Sequence, residues 1–451
     1  MTTMPLTTRD PGEIIAWRNG HPYSVATLFG EAQLLAQRLP PARYAINRCH
    51  SRYRFMRGFL AVVMAGQTNL LPPDRLQQTT QRLLRDYPNA YILTDEAEGT
   101  DQPSASAVVS AQATALDDSH LAIGASHLAA IAFTSGSTGA PKPIEKPWYT
   151  LYQGARINAA AMGLTGGQTH NLLATVPPQH MYGLETSVLN PFVAPIAAAD
   201  GQPLLPADIR AALEELPEPR VLVTTPAHLR SLADPAYKLP PLATIWSATA
   251  PLDPALARRI EQLHGAPIHE IYGCSEVGSL AQRHTSSSHD WRLFPGFSLA
   301  DSTAAGTLID APHLPGSRII PDRLARRDSG HFRILGRSED MVNVAGKRSS
   351  LTELTQALQG LDGVCDGVVF KRPEHDEHQA ARLVAMVVAP ERDASSLRQA
   401  LRGCVDDAFI PRPIHHVEAL PRSETGKLTR NNLLECLAAL EGYPQTSQQG
   451  A

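Results

Sequence analysis

The sequence has few cysteines, and their spacing excludes the chemistry that paired cysteines carry. Five cysteines occur in 451 residues. They lie far apart and none forms a CxxC pair, which argues against a zinc site, a dithiol redox centre or a disulfide framework. Because unpaired cysteines are typical of a reducing compartment, the sequence predicts a cytoplasmic protein.

Charge and long hydrophobic runs are also scarce. Charged residues make up 19% of the chain, and the formal net charge is -4 at pH 7. No strong positive field is therefore available to attract nucleic acid or an anionic membrane surface. Residues 1–18 lack the apolar core of a signal peptide, and the longest early apolar run, 59–65, is too short to cross a bilayer. We expect neither nucleic-acid binding nor membrane insertion.

Several common catalytic motifs are absent or incomplete. The histidines show no HExxH or other zinc spacing, and the segment His375-Asp-Glu-His378 is more typical of a polar hairpin loop than of a metal site. The segment Gly273-x-Ser275-x-x-Gly278 is one residue too long for the nucleophile elbow of serine hydrolases. The sequence therefore argues against a zinc enzyme and against a serine hydrolase.

Apolar residues make up 43% of the chain and alternate between strand and helix patterns. The length is suited to about two or three domains. Short apolar runs at 128–133, 221–225 and 243–246 predict buried strands, and the last two precede helical patterns. This order predicts an α/β fold, in which residues 1–337 form a large N-terminal domain of mostly parallel sheets with crossover helices.

The pattern changes after residue 337, and we expect residues 338–451 to form a small, mobile α+β domain. Ser350 and Glu353 have the spacing of a helix capping box. Strand patterns at 367–370 and 383–388 follow, joined by a polar stretch typical of a hairpin loop. Apolar residues at steps of four predict one face of a further helix: Leu397, Leu401, Val405 and Phe409.

Residues 134–142, TSGSTGAPK, place hydroxyls, glycines and a lysine directly after a predicted buried strand. Glycines let backbone N–H groups approach an anion, while hydroxyls and an ammonium add donors, so such a loop can wrap phosphates. It is not a Walker A loop, because the Gly-Lys-Ser/Thr ending is missing. Composition alone leaves a flexible surface loop as the alternative.

Two later segments also carry residues suited to catalysis. Glu276 follows a short predicted strand, 269–272, and its carboxylate is suited to hold Mg²⁺ against a phosphate. The alternative for such a carboxylate is the start of a helix. Residues 421–427 predict a turn with Gly426 at its tip that presents Lys427, which on its own has the pattern of a solvated lysine.

In this order, the segments resemble the motifs of the adenylate-forming superfamily, which includes acyl-CoA synthetases, aryl acid ligases, luciferases and the adenylation domains of peptide synthetases. The resembling segments are the phosphate loop at 134–142, the acyl-pocket motif at 177–183, the YGxTE motif at 272–276, the hinge motif at 336–348 and the catalytic-lysine motif at 421–427. Together they span most of the chain.

The resemblance implies a ligase that uses ATP and Mg²⁺ to convert a carboxylic acid into acyl-AMP, with release of pyrophosphate. The nucleotide-binding residues that it implies are Thr134, Ser135, Gly136, Ser137, Thr138, Gly139, Lys142, Tyr272, Gly273, Asp322 and Arg337. It further implies that Glu276 binds Mg²⁺, that Ser275 contacts the α-phosphate, and that Lys427 bridges the acid and the α-phosphate.

In the second step that the resemblance implies, the small domain rotates about residues 337–339. This rotation removes Lys427 and brings Gly346 to a tunnel for the thiol. The acceptor is then the phosphopantetheine thiol of coenzyme A or of an acyl carrier protein.

Departures from the family pattern narrow the expected substrate. The pocket residues that the resemblance implies are His180, Met181, Tyr182, Gly183, Ala248, Thr249 and Ala250. Ala248-Thr249 replaces the family's Gly-Gly, which disfavours a long acyl chain, and Met181 replaces the aspartate that binds an amino-acid ammonium. We therefore expect a small aromatic acid, such as 3-hydroxybenzoate or 4-hydroxybenzoate.

Three alternatives stay open at this point. Residues 180–182 can be core packing, the acid can be a short or medium-chain fatty acid, and the chain can be a nucleotide-binding regulator without activity. The last is disfavoured because the residues implied for catalysis are all present. Length and the stretch 174–183, ATVPPQHMYG, resemble the short ligases of aryl-polyene and xanthomonadin-type pigment pathways, which load an aromatic acid onto a carrier protein. This likeness predicts a place in pigment biosynthesis.

Overall fold

The structure is a computed structural model that describes residues 2–95, 121–134, 142–303, 305–328, 330–337, 340–344, 347–372, 383–422 and 428–442. The chain divides into two compact units. The first comprises Met1–Ser298 and Asp310–Arg318, and the second comprises Leu299–Ile309 and Ile319–Ala451. The predicted boundary at residue 337 and the mobility of the small domain stay predictions.

The first unit contains alternating strands and helices. Its strands are β1 (Thr3–Pro5), β2 (Ile14–Arg18), β3 (His21–Ser24), β4 (Tyr44–Asn47), β5 (Thr68–Leu71), β6 (Ala90–Leu93), β7 (Ala122–Gly124), β8 (Leu128–Thr134), β9 (Lys142–Pro147), β10 (His170–Ala174), β11 (Ile196–Ala199), β12 (Arg220–Thr224), β13 (Thr244–Ser247), β14 (Ile268–Cys274), β15 (Gly278–Arg283) and β16 (Trp291–Leu293). Its helices are α1 (Val25–Ala36), α2 (Arg52–Met64), α3 (Gln77–Asp86), α4 (Trp148–Ala161), α5 (Met181–Leu184), α6 (Asn190–Val193), α7 (Pro206–Glu214), α8 (Pro226–Leu232) and α9 (Pro254–His264).

Three short strands lie where the chain passes between the units: β17 (Ser298–Leu299), β18 (Thr307–Asp310) and β19 (Arg318–Ile320). The remaining strands are β20 (Asp322–Arg326), β21 (His331–Arg337), β22 (Met341–Val344), β23 (Lys347–Ser350), β24 (Asp366–Lys371), β25 (Leu383–Val388) and β26 (Ile414–His416). The helices of the second unit are α10 (Leu351–Gln359), α11 (Ala394–Leu401) and α12 (Arg430–Glu441).

Two mostly parallel sheets form the frame of the first unit. The smaller has the order β6-β4-β5-β8-β9, in which only β9 is antiparallel to its neighbour. In the larger, β14, β13, β12, β10, β11 and β2 are parallel, and β15, β16 and β3 add antiparallel strands at the margins. Helices lie between successive parallel strands along the chain, as crossover connections require. The predicted α/β class is confirmed.

Local signals explain how one crossover begins and ends. The carboxylate of Asp253 accepts a hydrogen bond from the N–H of Leu256 at 2.9 Å, which caps the first turn of α9. Gly265 ends the helix in the left-handed conformation, with φ at 70°. Strand β14 then follows, and it carries the predicted YGxTE motif.

The second unit contains the predicted small α+β arrangement. Ser350 and Glu353 form the predicted capping box of α10. Strands β24 and β25 form the predicted antiparallel pair, and β26 adds a parallel strand. The expected hairpin loop, with His375 and His378, lies outside the described residues.

The helix predicted from residues 397–409 is shorter than expected. Helix α11 ends at Leu401, and Phe409 lies in a separate short helical turn, Asp407–Phe409. Both residues nevertheless belong to the same hydrophobic cluster, and Val405 packs against it. Steps of four in the sequence therefore identified side chains of one core, but the continuous helix was wrong.

Candidate active site

The carboxyl ends of neighbouring parallel strands meet at one edge of the large sheet. Ala174 of β10 lies opposite Val223 of β12, and Ser247 of β13 lies opposite Thr224 and Glu270. The chain leaves β10 toward β11 on one side and returns to β12 on the other, so the strand order reverses at β10. Open α/β sheets bind ligands at such a point. The predicted acid-pocket residues follow the ends of β10 and β13.

The acyl-pocket motif folds into a tight turn that requires glycine at residue 183. The N–H of His180 donates to the carbonyl oxygen of Pro177 at 3.4 Å, and His180 directly precedes α5 as its N-cap. A Cβ atom on Gly183 would lie 2.0 Å from the same oxygen of Pro177. Since no side chain fits within that distance, the turn explains the spacing of the three motif residues.

Tyr182 and Ala248, which were assigned to one pocket from the sequence, share one hydrophobic cluster. Tyr182 packs against buried residues that include Val176, Trp246, Ala248 and Ile271. Burial raises the pKa of the Tyr182 hydroxyl, so the phenol stays neutral and able to donate a hydrogen bond. The structure therefore brings the two predicted halves of the acid pocket together.

Met181 packs in a different direction from Tyr182. It lies against the larger hydrophobic cluster of the first unit, which contains Phe55 and Leu184. This is the core-packing role that the sequence left open for residues 180–182. A direct contact between Met181 and the acid stays a prediction.

The residues that replace the family's Gly-Gly have an unusual backbone. Ala248 is buried, and Thr249 has a φ of 81°. This left-handed region is favoured by glycine and is rare for a β-branched residue. The Thr249 hydroxyl is buried without a hydrogen-bond partner among the described residues. Thr249 therefore adds a side chain while keeping the conformation that glycine favours.

Polar residues outside the predicted site lie at the same edge of the sheet. The indole N–H of Trp246, the hydroxyl of Ser247 and both amide atoms of Gln179 are buried and lack hydrogen-bond partners in the part of the chain that the structure describes. Buried polar groups left unpaired cost about 1–3 kcal/mol each, so such groups are expected to meet water or a ligand. In the sequence, only their position indicates a role in the site. Gln179 lies within the acyl-pocket motif, and Trp246 and Ser247 directly precede Ala248.

The YGxTE-like segment forms a hairpin between β14 and β15. A Cβ atom on Gly273 would lie 2.5 Å from the carbonyl oxygen of Gly278, and Gly278 has a φ of 91°. The hairpin also contains a bulge between Tyr272 and Gly273. No helix starts among residues 275–277, so the helix-start alternative for Glu276 is wrong.

Glu276 lies in the turn of this hairpin and offers oxygen ligands. Its carboxylate is half-buried and makes no hydrogen bond or ion pair with the residues that the structure describes. Among those residues there is also no cluster of three or more His, Cys, Asp or Glu side chains that could hold a metal. A single free carboxylate fits Mg²⁺, which is commonly held by one or two carboxylates together with phosphate oxygens.

Tyr272 lies within a small aromatic group at the base of the hairpin. Its ring centroid is 5.5 Å from that of Trp291, and the guanidinium of Arg283 lies 4.5 Å from the same indole. Burial raises the pKa of Glu270, although its ion pair with Arg283 opposes this change. The binding of the nucleotide by Tyr272 stays a prediction.

Two of the residues predicted to bind the nucleotide lie opposite each other in the second unit. Asp322 of β20 is paired with Arg337 of β21 in antiparallel register. The hydroxyl of Thr307 donates to the carbonyl oxygen of Asp322 at 2.8 Å. Residues that are 15 positions apart in sequence are thus neighbours in the hairpin.

The two ends of the predicted phosphate loop are paired with each other. Thr134 at the end of β8 lies opposite Lys142 at the start of β9. The remaining predicted residues of this loop lie outside the described residues: Ser135, Gly136, Ser137, Thr138 and Gly139. Lys427 and Gly346 also lie outside them, and their roles stay predictions.

Comparison with known protein families identifies the family of the chain. Residues 42–305 match the AMP-binding enzyme family. The chain belongs to this family. It is an ATP-dependent, AMP-forming acid–thiol ligase, with ATP and Mg²⁺ as its cofactors.

Curated relatives of this AMP-binding enzyme include ligases of aromatic acids. The 4-coumarate–CoA ligase of Halorhodospira halophila is 31% identical over 67% of this chain and 75% of its own length. The 3,4-dihydroxybenzoate–aryl-carrier-protein ligase of Bacillus anthracis is 23% identical over 67% of this chain and 72% of its own length.

Solved structures of similar fold cover nearly the whole enzyme. ATP-bound MatB from Rhodopseudomonas palustris has a TM-score of 0.78 at 19% identity, and the alignment covers 98% of this chain and 100% of that one. MenE, the o-succinylbenzoate CoA synthetase of Bacillus subtilis, solved with its acyl-adenylate intermediate, has a TM-score of 0.78 at 17% identity over 96% and 98% of the two chains. These similarities confirm the fold.

The described part of the enzyme contains no helix with the length and apolarity needed to span a bilayer. The cytoplasmic location stays a prediction.

Proposed function

We propose that this enzyme adenylates a small aromatic acid of the hydroxybenzoate type and transfers the acyl group to a phosphopantetheine thiol. The thiol belongs to an acyl carrier protein or to coenzyme A. The observation that carries this proposal is the position of Ala248 and Thr249, which follow the end of β13 and adjoin buried polar groups without hydrogen-bond partners among the described residues.

Shape and polarity at this position favour a short, flat and partly polar acid. Thr249 adds a branched side chain where the family has glycine, which shortens the space for an acyl chain. The neutral phenol of Tyr182 supplies a hydrogen-bonding group for a ring hydroxyl. The hydroxyls of Ser247 and Thr249, which have no partner in the part of the chain that the structure describes, supply two more. An aliphatic chain would leave these groups unpaired, at a cost in binding free energy.

The relatives agree with this choice of substrate class. Their names specify 4-coumarate and 3,4-dihydroxybenzoate, which are both aromatic acids with ring hydroxyls. One relative uses coenzyme A and the other an aryl carrier protein, so the acceptor is proposed as either thiol. The place in pigment biosynthesis stays a prediction.

The proposed reaction has two steps. A carboxylate oxygen of the acid attacks the α-phosphorus of ATP, the bond to the β-phosphate oxygen breaks, and pyrophosphate leaves. The acceptor thiolate then attacks the carbonyl carbon of acyl-AMP, and AMP leaves. Lys427 is the proposed positive charge between the acid and the α-phosphate, where negative charge accumulates in the first step.

The hairpin and the β20–β21 pair are proposed to hold the nucleotide. Ser275 would contact the α-phosphate, Asp322 and Arg337 the ribose, and Glu276 would hold Mg²⁺. When bound there, Mg²⁺ would neutralise negative charge on the phosphate oxygens. These side chains would also hold the acid and the α-phosphorus in line for attack.

Pyrophosphate release across a panel of acids tests the proposal. The panel contains benzoate, 3-hydroxybenzoate, 4-hydroxybenzoate, cinnamate, octanoate and phenylalanine, with ATP and Mg²⁺ present. We expect a hydroxybenzoate to give the highest kcat/KM, at least about tenfold above octanoate, since lost hydrogen bonds in a polar pocket cost more than about 1.4 kcal/mol.

The variant Lys427→Ala serves as the control for the chemical step. It should lose pyrophosphate release while retaining thioester formation from acyl-AMP supplied ready-made. A rate that rises with aliphatic chain length would contradict the aromatic substrate and favour a fatty acid. ATP binding without turnover on any acid would contradict the enzymatic proposal as a whole.

A further inference from the structure

A buried lysine and a buried glutamate lie behind the hairpin that carries Glu276. Lys146, in β9, is 2% exposed, and Glu185 is 6% exposed. Glu185 is the first residue of a π-helical turn, Glu185–Leu189, which continues directly from α5. The predicted site includes neither of these residues.

Both side chains contact the backbone of the hairpin. The ammonium of Lys146 donates to the carbonyl oxygen of Glu276 at 3.4 Å. The carboxylate of Glu185 accepts hydrogen bonds from the Ser279 N–H at 3.1 Å and the Ser279 hydroxyl at 2.5 Å. A Cβ atom on Gly278 would lie 2.3 Å from this carboxylate, so the hairpin approaches Glu185 closely.

Burial makes both charges costly. It lowers the pKa of Lys146 and raises the pKa of Glu185, and each side chain opposes the shift of the other. Apolar residues of similar volume are often as stabilising as a buried charged pair, so stability alone does not account for the pair. Hydrogen bonds to a charged group do fix the direction and position of the backbone that they contact.

The pair also joins segments that the sequence assigns to different substrates. Lys146 belongs to the strand that follows the phosphate loop. Glu185 continues the helix of the acyl-pocket motif, and the π-helical turn is tied back to that motif because the Thr186 hydroxyl donates to the carbonyl oxygen of Tyr182 at 2.6 Å. Such π-helical turns are frequent at functional sites.

We propose that Lys146 and Glu185 are positioning residues that hold the hairpin turn of Glu276 in register with the acyl-pocket helix. The pair fixes the backbone at both ends of the turn, at Glu276 and at Ser279, and leaves the Glu276 carboxylate without a hydrogen bond or ion pair to the residues that the structure describes. This inference rests on the proposed function, because it assigns Glu276 to Mg²⁺ and residues 180–183 to the acid.

Variants of the pair test this role through the requirement for Mg²⁺ and the KM for the acid. Pyrophosphate release is measured against Mg²⁺ and against acid for Lys146→Met, Glu185→Gln and the double variant, which keeps the charge balance. We expect the Mg²⁺ concentration at half-maximal rate to rise at least about fivefold in each variant, the lower end of typical coupling between sites. Glu185→Gln should also raise the KM for the acid.

The control is a largely buried ion pair elsewhere in the first unit. Arg57 and Glu31 lie 3.4 Å apart on α2 and α1, and the variant Arg57→Met with Glu31→Gln removes that pair. We expect it to keep the wild-type Mg²⁺ requirement. If a variant of Lys146 or Glu185 does not fold, Ser279→Ala, which removes one hydrogen bond to Glu185, gives the same readout.

A purely structural pair would give a different result. The variants would then lower the folded fraction and the maximal rate, but the Mg²⁺ requirement and the KM for the acid would stay at wild-type values. That outcome overturns the positioning role. If the wild-type enzyme turns over no acid, the proposed function fails, and calorimetric titration of ATP at several Mg²⁺ concentrations decides the positioning role by the same comparison.

Discussion

Thr249 combines a branched side chain with a backbone conformation that glycine favours. Such a conformation costs a non-glycine residue about 1–3 kcal/mol, and added freedom of the unfolded chain costs glycine about 0.5–1 kcal/mol. We therefore expect Thr249→Gly to raise the free energy of unfolding by about 1 kcal/mol. The same variant should raise kcat/KM for octanoate, because it removes the branched side chain from the predicted acid pocket.

Urea denaturation and pyrophosphate release measure these two effects. Ala250→Gly is the matched control, because residue 250 has no positive φ. It should lower the free energy of unfolding. Equal destabilisation by both variants would show that the conformation at residue 249 carries no strain.

For single residues, the sequence was informative where a motif requires a particular residue type. Gly183 and Gly273 were assigned from their motifs, and the structure shows close backbone contacts that require glycine at both. Lys146 could not be found in this way, because a lysine in a polar strand is more often solvated than buried. Its burial depends on the approach of the hairpin and of the π-helical turn, which are distant in sequence.

Among the elements, α5 depends on one close approach. We expect Gly183→Ala to displace the start of this helix, since a Cβ would lie 2.0 Å from the carbonyl oxygen of Pro177. Overpacking of this kind costs about 1–3 kcal/mol. The KM for the acid should rise as the motif turn opens, whereas the Mg²⁺ requirement should change less.

Gly166→Ala is the matched control, because nothing lies within 4 Å of a Cβ at that glycine. Thermal unfolding and steady-state kinetics of the two variants give the comparison. Wild-type stability and KM in Gly183→Ala would contradict the description of the turn.

Element types followed from local patterns more reliably than element ends. Strands β8, β12 and β13 were expected because short apolar runs are typical of buried parallel strands. The helix around residue 401 was expected to be longer because the apolar period continued beyond its end. The sequence left two alternatives for the segment at Glu276, a helix start or a loop, because a carboxylate after a strand is compatible with both. Pairing of β14 with β15, a tertiary contact, decided it.

For the whole molecule, acid should destabilise the first unit. Burial lowers the pKa of a group of histidines in it: His127, His170, His228, His264, His269 and His313. They stay neutral in the fold at pH values where the unfolded chain, with pKa values of about 6.5, already binds protons. The free energy of unfolding should therefore fall as the pH decreases from about 7.5 to about 5.5.

Denaturant titrations across this pH range measure the slope. His264→Gln removes one of the buried histidines and should reduce the slope, whereas His21→Gln, at an exposed position, should leave it unchanged. A free energy of unfolding that is independent of pH over this range would contradict the prediction.

The alternation of strand and helix patterns along the chain predicted the α/β architecture. It did not predict which residues belong to each compact unit. The change of pattern after residue 337 marks where capping and hairpin signals begin. Residues 299–309 and 319–337 belong to the second unit although they precede this change of pattern. Membership of a unit depends on long-range packing, which local periodicity does not report.

The division of the chain between the two units affects where a chimeric ligase can be joined. A seam at residue 337 would take β20 and β21 from one parent and residues 338–451 of the second unit from the other. A Cβ on Gly336 would lie only 3.2 Å from the Cβ of Ser350, so such a seam would cut through a tightly fitted contact between mismatched parents. All residues after Arg318 belong to the second unit, and exchange at that point would keep this contact within one parental sequence.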